Sequence, residues 1–399
     1  MQIKSNSFAL ATLTALFFVM GFITVLNDIL IPHLKTIFEL NYFEAALVQF
    51  CFFGAYFIMG GFFGKLLEKI GYPAGVILGF TLTSIGCILF YPAASTASYP
   101  IFLGALFVLA SGVVLLQTAG NPFVTLLAPG KEATALTLVQ AFNSLGTTLG
   151  PIFGAVFILS GTVEYINKVQ EAESVRIPYL IIAGILILLA ILVYLLRLPD
   201  VRERAEKISK ENHDEKISIF EYSHLVLGAA GIFFYVGAEV SIGSFLILTM
   251  KKIAGIEEIV GAKYIAFYWG GAMIGRFIGS AIMSIIQPNK CLAFNTIVNI
   301  CLILLSILIG GKIAIICLVA IGFFNSIMFP TIFSLATKNL GKFTSQASGL
   351  ICMAIVGGAI IPPIQGLVAD YFSLLISYTI PMLCYFYILF FALKGYKCR

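Results

Sequence analysis

The sequence predicts an all-α membrane protein of twelve transmembrane helices arranged as two related six-helix halves. Three observations carry this. The 399 residues are 60% hydrophobic and only 11% charged, against roughly 25% charged in water-soluble domains, so most of the chain cannot face water. Uncharged stretches of ~20 residues recur along it, the length a helix needs to cross the hydrocarbon layer; outer-membrane barrel strands would instead alternate polar and apolar residues. Finally, three Gly/Pro motifs of the first half return, in order, in the second.

The spans are read between charges, prolines, glycines and polar clusters. Span one, Phe8–Ile31, contains most of the uncharged run Ser5–Asn27. That run is too long for a signal-peptide core and has no small-residue cleavage pattern, so it reads as a retained span. Span two, Ala45–Gly64, lies between Glu44 and Lys65, and span three, Tyr72–Tyr91, between Gly71 and Pro92. Span four, Ile101–Leu127, follows Pro100 and stops before Pro129. Span five is Ala135–Ser160, and span six, Ile177–Leu196, is framed by Arg176 and Arg197. The longest polar segment, Arg197–Glu221, then separates an N-terminal half (residues 1–196) from a C-terminal half (223–399), making 197–222 a linker. Spans seven to twelve are Leu225–Met250, Tyr264–Ile286, Leu292–Gly310, Ile313–Thr337, Ser345–Val368 and Leu374–Leu393. With the N-terminus inside, 16 of the 24 Lys and Arg residues fall on the cytoplasmic side, six of them in the linker, and 7 outside. That excess predicts a linker and both termini in the cytoplasm.

The repeat is parallel. Gly60-Gly61-Phe62-Phe63-Gly64 of span two matches Gly275-Arg276-Phe277-Ile278-Gly279 of span eight, 215 residues on. Asn121-Pro122-Phe123 of span four lies 208 before Phe329-Pro330-Thr331 of span ten, and Gly150-Pro151-Ile152-Phe153-Gly154 of span five 212 before Pro362-Pro363-Ile364-Gln365-Gly366 of span eleven. Two six-helix halves joined by a cytoplasmic loop resemble the major facilitator superfamily, whose halves rock about a midplane site. Gly64-Lys65-Leu66-Leu67-Glu68-Lys69-Ile70-Gly71 is similar to its G-x-x-x-[DE]-[RK]-x-G loop. The resemblance implies that Gly64, Glu68 and Lys69 latch an inner gate by charge pairing.

Enzymatic motifs are missing: there is no phosphate loop, H-E-x-x-H or G-x-S-x-G sequence, and no DNA-binding signature. The eight cysteines are scattered in apolar runs, without metal-ligand spacing. No cofactor, metal or nucleic acid is expected, and no enzymatic activity. The informative residues are ionisable groups within spans, which are costly and mark function by default. Asp28 follows Asn27 and precedes Pro32, where the backbone should be broken or kinked with a polar lining. Glu239 lies mid-span with Tyr235 four residues before it on the same face; it either carries charge or is a neutral acid hydrogen-bonded between helices. Arg276, within a small-residue motif, reads as structural. A carboxyl group in a low dielectric is expensive to ionise, so it can take up and release a proton as water access changes.

Amides come next. Gln140 and Asn143 of span five point the same way, and Gln117 of span four is the repeat counterpart of Asn325 of span ten, 208 residues on. Amides both donate and accept, which suits a polyhydroxylated ligand; the alternative is hydrogen bonding between helices. Trp269, the only tryptophan, could pack on a sugar ring or on a neighbouring helix.

Four blocks resemble the fucose/glucose–galactose permease branch of the superfamily: Phe17–Pro32, Gln117–Val124, Gln140–Gly146 and Phe329–Leu335. The resemblance runs from about Phe8 to the C-terminus. It implies uptake of a hexose or deoxyhexose by cation symport across a bacterial inner membrane, with Asp28 as the proton-linked acid and Gln140 and Asn143 as sugar contacts; a monomer is expected. Asn27, Tyr235, Trp269, Gln117 and Asn325 complete the expected sugar site, and Glu239 the coupling group. Gln117 stands where fucose permeases place a second glutamate, which favours glucose and galactose and leaves proton and sodium both open as the coupling ion. The alternatives are an L-fucose–proton symporter and a non-transporting sugar sensor, for which the linker is short. Drug export would call for fewer amides.

Overall fold

The computed structural model describes the backbone of residues 2–38, 42–96, 98–157, 176–199, 201, 218–256 and 258–398. Side chains at 2–6, 26–38, 42–47, 151–157, 176, 178, 258–260, 262 and 263 lie outside the description. Among the described residues there is no β-strand, and eleven stretches are long and apolar enough to cross a membrane.

The first six helices are α1 (Gln2–Phe38), α2 (Tyr42–Ile70), α3 (Tyr72–Thr96), α4 (Tyr99–Leu127), α5 (Glu132–Phe157) and α6 (Arg176–Leu196). Then follow α7 (Ser223–Ala254), α8 (Glu258–Met283), α9 (Pro288–Ile309), α10 (Gly311–Asn325), α11 (Met328–Ala336), α12 (Thr344–Ala354), α13 (Gly357–Tyr371) and α14 (Thr379–Phe390). Each expected span coincides with helix as far as it is described, with residues 158–160 of span five outside the described residues. Most helices outrun their apolar stretch by a few residues, because a helix continues into the interfacial layer until a turn signal stops it. Gly71 and Gly255 do so with positive φ, a conformation that glycine adopts without a Cβ clash.

Two expectations need correction. The first helix is not broken near Asp28: α1 runs unbroken through Pro32. Spans ten and eleven, expected as single helices, are each divided, at Ser326–Ile327 and Ile355–Val356. Pro330 lacks the N–H that would bond the Ser326 carbonyl four residues back, and its ring crowds that oxygen. Pro362 and Pro363 lie within α13; at the division of span eleven the Gly358 and Ala359 amides instead bond the Ile355 and Val356 carbonyls three residues back, at 3.0 and 2.9 Å. Pro122 is tolerated inside α4, which stays continuous.

The chain forms two compact units. One comprises Met1–Leu127, Leu145–Glu206 and Thr344–Met353; the other Ala128–Ser144, Lys207–Phe343 and Ala354–Arg399. The segments that depart from sequence order, around the starts of spans five and eleven, are counterparts in the repeat.

Within the first unit α3 packs against α4 and α6, with Phe90 stacked on Tyr179 at 4.3 Å between ring centroids and the Ser84 hydroxyl donating to the Ala183 carbonyl at 3.0 Å. Here too α2 meets α12 at glycines: a Cβ on Gly64 would lie 3.0 Å from the Ser345 carbonyl oxygen, and one on Gly60 2.8 Å from that of Gly349. Only hydrogen-sized side chains permit this backbone contact. In the second unit α7 is central, packed on α8, α10, α11, α13 and α14.

Candidate functional site

Pro122 in the first half and its repeat counterpart Pro330 in the second each free one carbonyl, and each of these two carbonyls finds a side-chain donor. In α4, Pro122 leaves the Thr118 oxygen without its i+4 amide, and Ser348 Oγ donates to it at 2.8 Å. At the break in span ten, Pro330 of α11 leaves the Ser326 oxygen, and Arg276 Nε donates to it at 3.1 Å. Thr118 and Ser326 are 208 residues apart, the offset of the prolines themselves. A buried carbonyl left bare would cost ~1–3 kcal/mol, so these donors are what make prolines admissible at membrane depth.

The polar centre of the second unit surrounds this break. Tyr235 and Glu239, one turn apart on α7, are joined by a 2.7 Å hydrogen bond from the phenol to Glu239 Oε1. The same phenol lies 3.2 Å from the Asn325 carbonyl oxygen. From α8, the Tyr268 hydroxyl donates to the Glu239 backbone oxygen at 3.2 Å. Arg276, also on α8, is close enough to act electrostatically on Glu239. Its guanidinium reaches Ser144 Oγ on α5 as well as the Ser326 carbonyl. Glu239 and Arg276 are half-buried.

Asn325 is fully buried, and both atoms of its amide are engaged. Oδ1 accepts from Tyr385 at 2.6 Å and from Asn299 Nδ2 at 2.8 Å, while Nδ2 donates to the Tyr268 hydroxyl at 3.1 Å. Asn325, expected as a sugar contact, is engaged here with groups that three neighbouring helices supply. Its repeat counterpart Gln117 is only half-buried and donates to Tyr56 at 3.0 Å. Tyr56 and Tyr268 are 212 residues apart, so the amide–phenol bond is itself repeated.

On α5, Gln140 is 7% exposed and Asn143 half-buried, one turn apart on one face. Ser144 Oγ donates to the Gln140 carbonyl at 3.1 Å. Trp269 is 43% exposed, edge-on to Tyr268 at 5.1 Å; being next to Tyr268 in sequence, it points to a different side of α8. The side chains of Asn27 and Asp28 lie outside the described residues.

At the end of α2, Glu68 Oε1 accepts from Gln346 Nε2 at 2.7 Å, and Ser345 donates to the Tyr72 hydroxyl at 2.9 Å. Glu68 thus meets a neutral amide of span eleven. Tyr56, Ser144, Tyr268, Asn299, Tyr385 and Gln346 were not singled out from sequence. Tyr56 and Tyr268 carried a detectable signal, their near-repeat spacing.

Comparison with known proteins settles the lineage. Residues 12–363 match the profile of the Major Facilitator Superfamily. The chain belongs to that superfamily. It is 63% identical, over all of its length and 99% of the relative's, to a putative glucose/galactose transporter of Helicobacter pylori. It is 53% identical to a glucose/galactose transporter of Brucella abortus, covering 99% of this chain and 95% of that one. Identity to the L-fucose-proton symporter of Escherichia coli is 36%, covering 98% and 94%. The crystal structure of the superfamily transporter FucP in the outward conformation superimposes with a TM-score of 0.87 at 34% identity, covering 97% of this chain and 98% of that one. This superfamily member is a multi-pass membrane transporter, not an enzyme, with the expected twelve-span fold.

Proposed function

We propose that this superfamily member is a cation-coupled importer of glucose and galactose working by alternating access. The observation that carries the reading is the gradation of identity: 63% and 53% to proteins named as glucose/galactose transporters against 36% to one named as an L-fucose-proton symporter. The neutral Gln117, bonded to Tyr56, agrees with it. Gln117, Gln140 and Asn143, with Asn27, contact the sugar, and Trp269 offers an aromatic face. Asp28 and Glu239 carry the coupling charge, with proton or sodium as the ion. Asn325 and Tyr268 brace the acid, and Tyr235 and Arg276 link it to span ten. Gly64, Glu68 and Lys69 belong to the gate. The protein acts as a monomer in a bacterial inner membrane. Residues 1–196 and 223–399 form the two halves, joined by linker 197–222, with both termini cytoplasmic.

Uptake of labelled glucose, galactose and fucose into proteoliposomes, under pH and sodium gradients in turn, tests this. Glucose and galactose should be concentrated under at least one gradient; concentration of fucose alone would favour the fucose reading, and no concentration of any sugar would refute both. Asp28→Asn should abolish gradient-driven accumulation while retaining part of the sugar counterflow. Asn143→Ala should raise the half-saturating sugar concentration at unchanged protein abundance.

A further inference from the structure

Three successive carbonyls at the break in span ten each face a side-chain donor. Phe324 O accepts from Asn295 Nδ2 at 2.9 Å, Ser326 O accepts from Arg276 Nε at 3.1 Å, and Asn325 O faces the Tyr235 hydroxyl at 3.2 Å. The outer two have their own N–H. The middle one does not, because a phenol has a single proton and this one has a second acceptor, Glu239 Oε1, at 2.7 Å. A short bond to an ionised acceptor is about twice as strong as one to a neutral carbonyl. While Glu239 is charged, the proton therefore stays with the carboxylate, and the Asn325 carbonyl is the least supported of the three.

We propose that Tyr235 is a two-position donor that reports the charge of Glu239 to the break in span ten. When the carboxylate is neutralised by a proton, the carboxyl O–H donates to the phenol oxygen and the phenol O–H turns to the Asn325 carbonyl. Every oxygen keeps a partner and no proton leaves the cluster, but the break gains a full hydrogen bond. Among the described residues, the groups facing Glu239 are Tyr235 on its own helix, Arg276 and Tyr268 from α8, and Tyr385 from α14. The next residue after Asn325 is held by Arg276, which also holds Ser144, adjacent to Asn143. A change at the break thereby reaches the α5 face that bears Gln140 and Asn143. This inference rests on the reading of Glu239 as a coupling acid and deepens it.

The test is hydrogen–deuterium exchange of the full chain in lipid nanodiscs, read on peptides covering residues 320–335. Glu239→Gln, and Glu239→Ala, which offers no acceptor at all, should slow exchange at the amides following the break by about fivefold, the factor carried by one net hydrogen bond. In a Tyr235→Phe background the same two substitutions should leave exchange unchanged. Equal slowing with and without the phenol, or no slowing by either Glu239 variant, overturns the proposal. Sugar accumulation by Glu239→Gln is measured alongside. Wild-type accumulation with the expected exchange pattern would remove Glu239 from coupling and leave the two-position donor standing. Lost accumulation without an exchange effect would do the reverse.

Discussion

Asn325 and Gln117 show how the same side-chain amide serves different ends at equivalent positions. Gln117 keeps part of its surface open, whereas Asn325 is enclosed by Tyr268, Asn299 and Tyr385. Asn325→Ala should therefore act on stability, stranding donors and acceptors worth ~1–3 kcal/mol each. It should lower the thermal midpoint in detergent by several degrees, with little change in the sugar Kd of the folded fraction. A larger effect on affinity than on stability would return Asn325 to the sugar site. Glu68 makes the complementary case. Its partner is the Gln346 amide, so Glu68→Gln, which keeps an acceptor, should preserve uptake better than Glu68→Ala. Rates measured at equal protein density decide this. The Tyr235–Glu239 bond was legible in sequence, since residues four apart on a helix meet. The enclosure of Asn325 was not, because its partners come from spans eight, nine and twelve, and side-chain register between distant helices leaves no mark in one sequence.

Among the elements, the spans were legible because burying backbone in lipid demands long uninterrupted apolar helices. The divisions of spans ten and eleven were not, although their prolines were noted. Pro122 and Pro330 sit at equivalent places, yet only the second accompanies a break. What the prolines share is the orphan carbonyl, and this yields a double-mutant cycle. Arg276→Met should destabilise the protein by ~1.5–3 kcal/mol, the loss of a charged hydrogen bond. Pro330→Ala restores an N–H for the Ser326 oxygen, so the double variant should lose less stability than the two single losses added. Denaturant or thermal unfolding of the four proteins measures the coupling, and strict additivity would mean that Arg276 is not the substitute for the missing amide.

At the scale of the whole molecule, the repeat offsets of 208 to 215 residues foreshadowed more than helix equivalence. They recur in the Gln117–Tyr56 and Asn325–Tyr268 bonds and in the two filled carbonyls. The two compact units draw together segments that are distant in sequence. Contacts that place the start of span five with the second unit, such as Ser280 Oγ to the Thr134 carbonyl at 3.0 Å, join residues far apart in the chain. Orientation remains open to direct measurement. A fluorescent protein fused at either terminus should fold and fluoresce, and alkaline phosphatase fused there should stay inactive, if both ends are cytoplasmic.

The traded starts of spans five and eleven have a practical consequence for biogenesis. A gene cut at the linker would yield two polypeptides, each missing a strip that its own packing requires and each carrying the strip its sibling needs. Neither fragment should then be durable when made singly, while co-translation in one cell should rescue both from proteolysis, a mutual guardianship that leaves the covalent tether dispensable for assembly.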